Sequence, residues 1–222
     1  KGEKKMKKSY VYLLTTFMLW GSLYVVSQFV LGKIPTFTVA MFRYLIAFIA
    51  LSLISLKSEK EKIEKSDYKY FFIMGFIGYF ISVDCQLLGT KIAGGSMASL
   101  INSLNPVIIS VMAMIILNEK LEMNKIVGIV LSLAGVYMII GTGANIQFLG
   151  VLISFIAVIG WAFMSVISRK ISNKYSALTL TKVSMLIATI CNIPVSFLEV
   201  QMTHPLIQVD LGAVLGLVYM GV

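Results

Sequence analysis

Charge is scarce in this chain: 13% of its 222 residues are charged, only ten are acidic, and there is one histidine. Soluble domains of this size carry about twice that share, so an ordinary water-soluble fold is excluded. Cysteine is scarce as well. Cys85 and Cys191 both fall inside apolar runs, where two isolated thiols define neither a disulfide framework nor a metal site and act as small packing residues. No cofactor is expected. No cleavable leader is expected, because the first apolar run is too long for a signal core and no small-residue cleavage site follows it.

Apolar residues are abundant, at 58% with a mean hydropathy of +0.90. A run of 18 or more can cross a hydrocarbon core about 30 Å thick. Such runs lie near residues 10–31, 36–56, 70–89, 96–117, 124–141, 147–168, 177–198 and 210–222, which predicts an all-α integral membrane protein with seven complete spans and a cut eighth.

The formal charge of +9 would suggest nucleic acid in a soluble protein, but its distribution gives another reason for it. Fifteen of the nineteen cations precede the first span or follow the second, fourth and sixth. The opposite loops hold Lys33 and Lys91, and Arg43 and Lys182 lie within spans. This positive-inside bias predicts a multi-pass inner-membrane protein with a basic cytoplasmic N-terminus over residues 1–9. The partners it implies are the lipid bilayer and a small-molecule substrate. No nucleic acid is needed, and the oligomeric state is not encoded legibly.

The stretch from Lys91 to Tyr137 is the most informative. Ser96, Ser99, Ser103, Pro106 and Ser110 recur at helical steps, with Asn102 and Asn105 beside them, while Leu100, Leu104, Val107, Val111 and Met114 take the other side. Two readings are open: a polar wall along a substrate path, or a packing kink at Pro106 with serines bonding back to their own helix. Other intramembrane polar groups divide similarly. Trp20, with Thr16, Tyr24 and Ser27, packs in the bundle or faces a cavity; Gln86, with Tyr79, Val83 and Thr90, binds substrate or bonds across to another helix. Arg43 snorkels, pairs with Asp84, or lines the outer half of a path with it; Lys182 snorkels or faces inward; Asp84 is the one acid in a complete span and the candidate for coupling to a proton or ion. Gly128, Ser132 and Gly135 form a small-residue packing stripe, and Pro194 is expected to bend the outer end of the seventh helix. The Lys57–Lys69 loop reads as a solvated turn, and His204 as an outer-loop residue.

A shift of 141 residues lays Trp20 on Trp161, Ser27 on Ser168, Thr38 on Thr179 and Gly75 on Gly216. The first unit, 10–141, holds five spans, an odd number, so a copy over 147–222 must be inserted upside down. The lysine-rich loop after the second span accordingly maps onto Glu199 to Asp210, which has no cation. Inverted repeats of this kind mark transporters. The missing Met at position 1 and the abrupt end predict a piece of a longer chain that lacks a ninth and a tenth span.

Trp20-Gly21, Pro35 with Arg43-Tyr44, Ala98-Ser99-Leu100 through Asn105-Pro106, the Asn118-Glu119-Lys120-Leu121 turn, Gly128, Gly135-Val136 and Trp161-Ala162 together resemble the EamA-type transporters of the drug/metabolite transporter superfamily. That resemblance implies two inverted five-helix repeats, a ten-helix transporter bundle here cut short in the eighth helix, with alternating access and export of an amino acid or similar small metabolite. It implies Trp20, Tyr24, Tyr79, Gln86, Ser99, Asn102, Ser103, Trp161 and Ser165 as substrate-binding residues. Arg43, Asp84 and Lys182 would supply charge selectivity or coupling. Two other readings compete with it. One is a non-transporting scaffold or an assembly of half-transporters; the other is an intramembrane hydrolase using a serine near Gly94-Gly95-Ser96, for which the only histidine is His204.

Overall fold

The computed structural model describes residues 2–56, 61–118, 123–141, 147–204, 207 and 209–222. Among the described residues the secondary structure is helical throughout. Six stretches are long and apolar enough to cross a membrane. They are Tyr10–Leu31 of α1 (Gly2–Leu31), α2 (Thr36–Ser55), the composite third span Lys65–Ala93, the composite fourth span Gly95–Leu117, and two long helices described below. The third comprises α3 (Tyr68–Ile73), a π-helical segment Met74–Ile81 and α4 (Ser82–Ala93); the fourth comprises α5 (Gly95–Asn102) and α6 (Asn105–Leu117). Then come α7 (Met123–Gly141), α8 (Phe148–Ile171), α9 (Ala177–Thr203) and the short α10 (Leu211–Gly221). The spans counted from α8 and α9 complete the six. The expected fifth and cut eighth spans correspond to α7 and α10, which are not among them.

Local chemistry sets the ends. Pro35 precedes α2, where its missing N–H would have no helical partner anyway. Ser176 and Asp210 cap α9 and α10 by accepting from Thr179 N (3.3 Å) and Ala213 N (2.8 Å). Asn118 and His204 close α6 and α9 in the left-handed conformation. Gly94, at φ +85°, is the single residue between α4 and α5, and a side chain there would strain the turn between third and fourth spans.

The helices α2 and α9 pack antiparallel along their whole lengths. Thr36 meets Glu199, Met41 meets Ser196, and Ser55 meets Lys182, the partner number falling as the other rises. On either side, α8 packs against the third span, and α10 packs between α1 and α2. Apolar packing gathers into two clusters. One holds Val30, Val39, Tyr44, Val83, Leu87, Ala188 and Ala213; the other holds Phe71, Met74, Met164, Ile167, Ile171 and Leu180. Lipid is as apolar as these side chains, so close contact rather than water exclusion joins such helices. At Gly78, in the π-helical segment, Met164 of α8 occupies the space that a Cβ would need.

Several expectations need correction. The third span is not one α-helix, since eight of its residues widen into π geometry. Glu199 is not in a loop: α9 runs through Pro194 to Thr203, and the Glu199 carboxylate accepts from the backbone N–H groups of Thr36 (2.8 Å), Phe37 (2.9 Å) and Thr38 (3.3 Å). The segment after α2 is more than a solvated turn. Glu61 accepts from Ser176 N, and Glu64 and Asp67 both accept from Lys174, with Tyr175 Oη donating to Asp67 at 2.8 Å. Residues 57–60 of that segment and 119–122 of the turn after α6 lie outside the described residues. Among the described residues nothing lies within 4 Å of where a Cβ on Gly128 or Gly135 would stand, and the side chain of Ser132 lies outside the described ones. Along the fourth span Ser96, Ser103 and Pro106 are exposed and Leu104 and Val107 buried, while Ser99, Ser110, Leu100 and Val111 are half-buried.

Candidate functional site

Pro106 supplies no N–H for an α-helical bond to Asn102, and the fourth span breaks there. Ser103 N reaches Ser99 O and Leu100 O, Leu104 N turns to Ile101 O at 3.1 Å, and α6 restarts at Asn105 with Pro106 in its first turn. The break brings Asn102 and Asn105 to the interior side, where Asn105 Nδ2 donates to Asn102 Oδ1 at 2.6 Å.

These two asparagines form one wall of a cavity of about 70 Å³. Trp20, Leu23 and Tyr24 of α1, Arg43 of α2, Val83 and Gln86 of α4, and Trp161 of α8 form the rest. A water takes about 30 Å³ of liquid volume, so the space holds a headgroup rather than a whole metabolite. Its aromatic side is fixed by a relay of edge-to-face contacts. Trp20 meets Trp161 at 5.9 Å, Trp161 meets Tyr79 at 5.8 Å, and Tyr79 meets Tyr44 at 6.1 Å. Tyr44 Oη then donates to Tyr79 O at 2.6 Å. Each such ring pair contributes about 0.5–1.5 kcal/mol beyond area burial, so the wall is rigid.

Two polar atoms in this wall lack partners. The hydroxyl of Tyr24 and Oδ1 of Asn105 are buried and unbonded, although each residue is only 7% exposed. Gln86 lies beside Tyr24 without completing a hydrogen bond. Leaving such groups unpaired costs about 1–3 kcal/mol each, a penalty that a bound polar molecule would remove.

The Arg43–Asp84 ion pair raised as one reading is absent. Both oxygens of Asp84 are buried without a hydrogen bond, and Arg43 acts on it only through space. The reason is the helix face: Val83 and Gln86 turn to the cavity, while Asp84 turns toward α9, beside Asn192, whose Oδ1 is likewise unpaired. Lys182 does not line the cavity; it donates to Oγ of Ser55, the last residue of α2, at 3.1 Å.

Of the nine candidate substrate-binding residues, Trp20, Tyr24, Gln86, Asn102 and Trp161 meet in the cavity. Tyr79 and Ser165 line a separate chamber of about 370 Å³, with Ser168, Ser172 and Thr181, behind the Tyr79–Trp161 wall. Ser99 and Ser103 lie in an open groove on the outer side of α5, and their hydroxyls donate to Ser96 O and Leu100 O. Asn105, Leu23 and Val83 are cavity residues that sequence reasoning did not select. Asn105 stands three residues after Asn102 on the same helical side, which is the signal that could have found it.

Similar ion-paired contacts stand at the two ends of the bundle. At the turn between α1 and α2, Lys33 pairs with Asp210, beside a hollow of about 450 Å³ that Lys91 and Glu199 also line. The Lys33 bond, followed by that from Ala213 N, holds the Asp210 carboxyl below its usual range. At the turn between α8 and α9, Lys174 pairs with Asp67 at 3.0 Å and Glu64 at 3.2 Å. Hydrogen bonding to Asp67 is the main cause that raises the Lys174 ammonium above its ordinary range.

Residues 7–141 match the EamA-like transporter family. An uncharacterized transporter of Bacillus subtilis, YetK, is 28% identical over 204 residues, covering 88% of this chain and 62% of that protein. An uncharacterized transporter of Clostridium kluyveri is 26% identical over 230 aligned residues, 98% of this chain and 73% of its own. YvbV, a further uncharacterized transporter of Bacillus subtilis, is 24% identical over 213 residues, 92% of this chain and 70% of that one. The chain thus spans roughly two thirds of the length of these relatives. With a match extending over more than half of its residues and with multiple membrane-length helices, the chain belongs to the EamA-like transporter family of the drug/metabolite transporter superfamily.

Proposed function

We propose that this chain is part of a secondary transporter that moves a small metabolite, an amino acid or similar solute, out of the cell by alternating access around the Trp20–Trp161 cavity. The observation that carries the reading is a polar cavity at the meeting of five spans, with two unpaired buried polar atoms in its wall. A central site of this kind is where transporters built from repeats bind their solutes.

The inverted two-unit architecture is part of the proposal, and paired contacts support it. The 141-residue shift converts Met41 into Lys182 and Ser55 into Ser196, so the contacts Met41–Ser196 and Ser55–Lys182 exchange with each other. It likewise converts Lys33 into Lys174, and the Lys33–Asp210 and Lys174–Asp67 pairs tie equivalent turns to the starts of equivalent helices. Glu199 capping α2 is mirrored by Glu61 at Ser176 before α9. A two-fold axis crossing the antiparallel α2–α9 pair generates all three equivalences. Such an axis lies in the membrane plane, which is the relation inverted units require.

In this reading the ion-paired contacts at the two ends of the bundle act as latches. Arg43 supplies charge selectivity, Asp84 is the coupling residue for a proton or ion, and Lys182 strengthens the α2–α9 seam. The N-terminus is cytoplasmic in the inner membrane. Two measurements test this. Cysteines placed at Lys62 and Thr203 should react with impermeant thiol reagents from opposite sides of the membrane; reaction from one side ends the inverted arrangement. Solute flux into proteoliposomes carrying the full-length protein should exceed that of empty vesicles and fall when Trp161 is replaced by Ala. Equal flux refutes transport.

A further inference from the structure

The transport reading leaves open what class of solute the cavity admits, and its wall bears on that. Arg43 lines the cavity and forms no ion pair among the described residues. An unpaired guanidinium at membrane depth is unfavourable and calls for an anion. The one acid nearby, Asp84, turns away from it. Beside Arg43 the Tyr24 hydroxyl is an unused donor, and across the cavity Asn105 Oδ1 is an unused acceptor, because the Asn105 amide nitrogen is already committed to Asn102. The same cavity therefore presents a cationic fork, a neutral donor and an acceptor, with no acidic side chain in its wall.

We propose that the cavity binds a small organic carboxylate, resting on the transport reading for its role. The carboxylate sits between the Arg43 guanidinium and the Tyr24 hydroxyl, and a hydrogen-bond donor on the neighbouring carbon meets Asn105 Oδ1. A planar carboxylate matches the two parallel N–H groups of a guanidinium. A volume of about 70 Å³ suits a carboxylate with its substituted neighbouring carbon, and any longer body must extend beyond it.

The protein carries its own reporter. Trp20 and Trp161 are its two tryptophans, both line the cavity, and they touch edge to face. Intrinsic tryptophan fluorescence of the purified protein in detergent, at constant ionic strength, should respond saturably to glycolate. Acetate, lacking the second donor, should bind about 3–10-fold more weakly, the worth of one hydrogen bond. Glycolamide and ethanolamine, neutral and cationic, should give no saturation up to about 10 mM, and inorganic phosphate should bind at least about tenfold more weakly than glycolate. Arg43→Gln should weaken glycolate at least about tenfold, Tyr24→Phe about 3–10-fold, and Arg43→Lys should fall between Gln and the native residue.

Because Arg43 holds no ion-pair or hydrogen-bond partner among the described residues, ligand-free Arg43→Gln should melt no lower than the native protein, which separates binding from folding. Equal responses to glycolamide or ethanolamine, phosphate binding as tight as glycolate, unchanged glycolate binding by Arg43→Gln, or no response to any carboxylate would each overturn the proposal. Carboxylate binding without flux in vesicles would instead sink the transport reading alone, and flux of a neutral or cationic solute without carboxylate binding would sink only this inference.

Discussion

Replacing Glu199 by Ala tests the α2–α9 seam at its most concentrated point. The carboxylate takes all three N–H groups that the first turn of α2 leaves without helical partners, the Pro35 cap having none, at 2.8, 2.9 and 3.3 Å. Hydrogen bonds to a charged group contribute about 1.5–3 kcal/mol each, less where water can replace the acceptor. Thr36 is buried, so water replaces its bond poorly; Phe37 and Thr38 are half-buried, and the bond to Thr38 is long. A net loss of about 3 kcal/mol follows, which for a chain of this size lowers the melting temperature by about 6–12 °C. Glu199→Gln keeps an acceptor and should lose roughly half as much. The assay is thermal unfolding in detergent followed by circular dichroism, with Thr203→Ala as control, since that hydroxyl is exposed and serves only Glu199 O. Melting of Glu199→Ala within about 2 °C of the native protein would refute the reasoning, because three uncapped N–H groups cannot cost so little.

Two further outcomes follow from packing and charge. Gly78→Leu should fail to fold or melt well below the native protein, because Met164 fills the space next to Gly78 and overpacking costs about 1–3 kcal/mol or more; the same unfolding assay checks it, and a combined Met164→Ala should recover part of the loss. The depressed Asp210 carboxyl contributes stability at neutral pH that is lost as pH falls below its unfolded value of about 3.9 toward its lower folded one. Asp210→Asn should therefore flatten the acid limb of a stability–pH curve, modestly because the pair is exposed, and an unchanged acid limb would count against the Lys33 contact.

The sequence by itself determined that this is a multi-span helical membrane protein, because hydrocarbon thickness and backbone hydrogen bonding leave an apolar run of that length little alternative. It also identified the polar residues out of place at membrane depth, and five of its nine substrate-binding candidates meet in one cavity. Which face of each helix turns inward was decided only by tertiary packing. The serine stripe of the fourth span satisfies its hydroxyls on its own backbone and tolerates the outside, whereas Asn102 and Asn105 cannot do so as completely and turn in. The π-helical segment, packed against α8 and α9, is not announced by its apolar pattern, and neither is the separation of Arg43 from Asp84. Periodicity along one helix carries no record of its neighbours, and the Glu199 cap, 163 residues from Thr36, exists only once the two antiparallel helices have met.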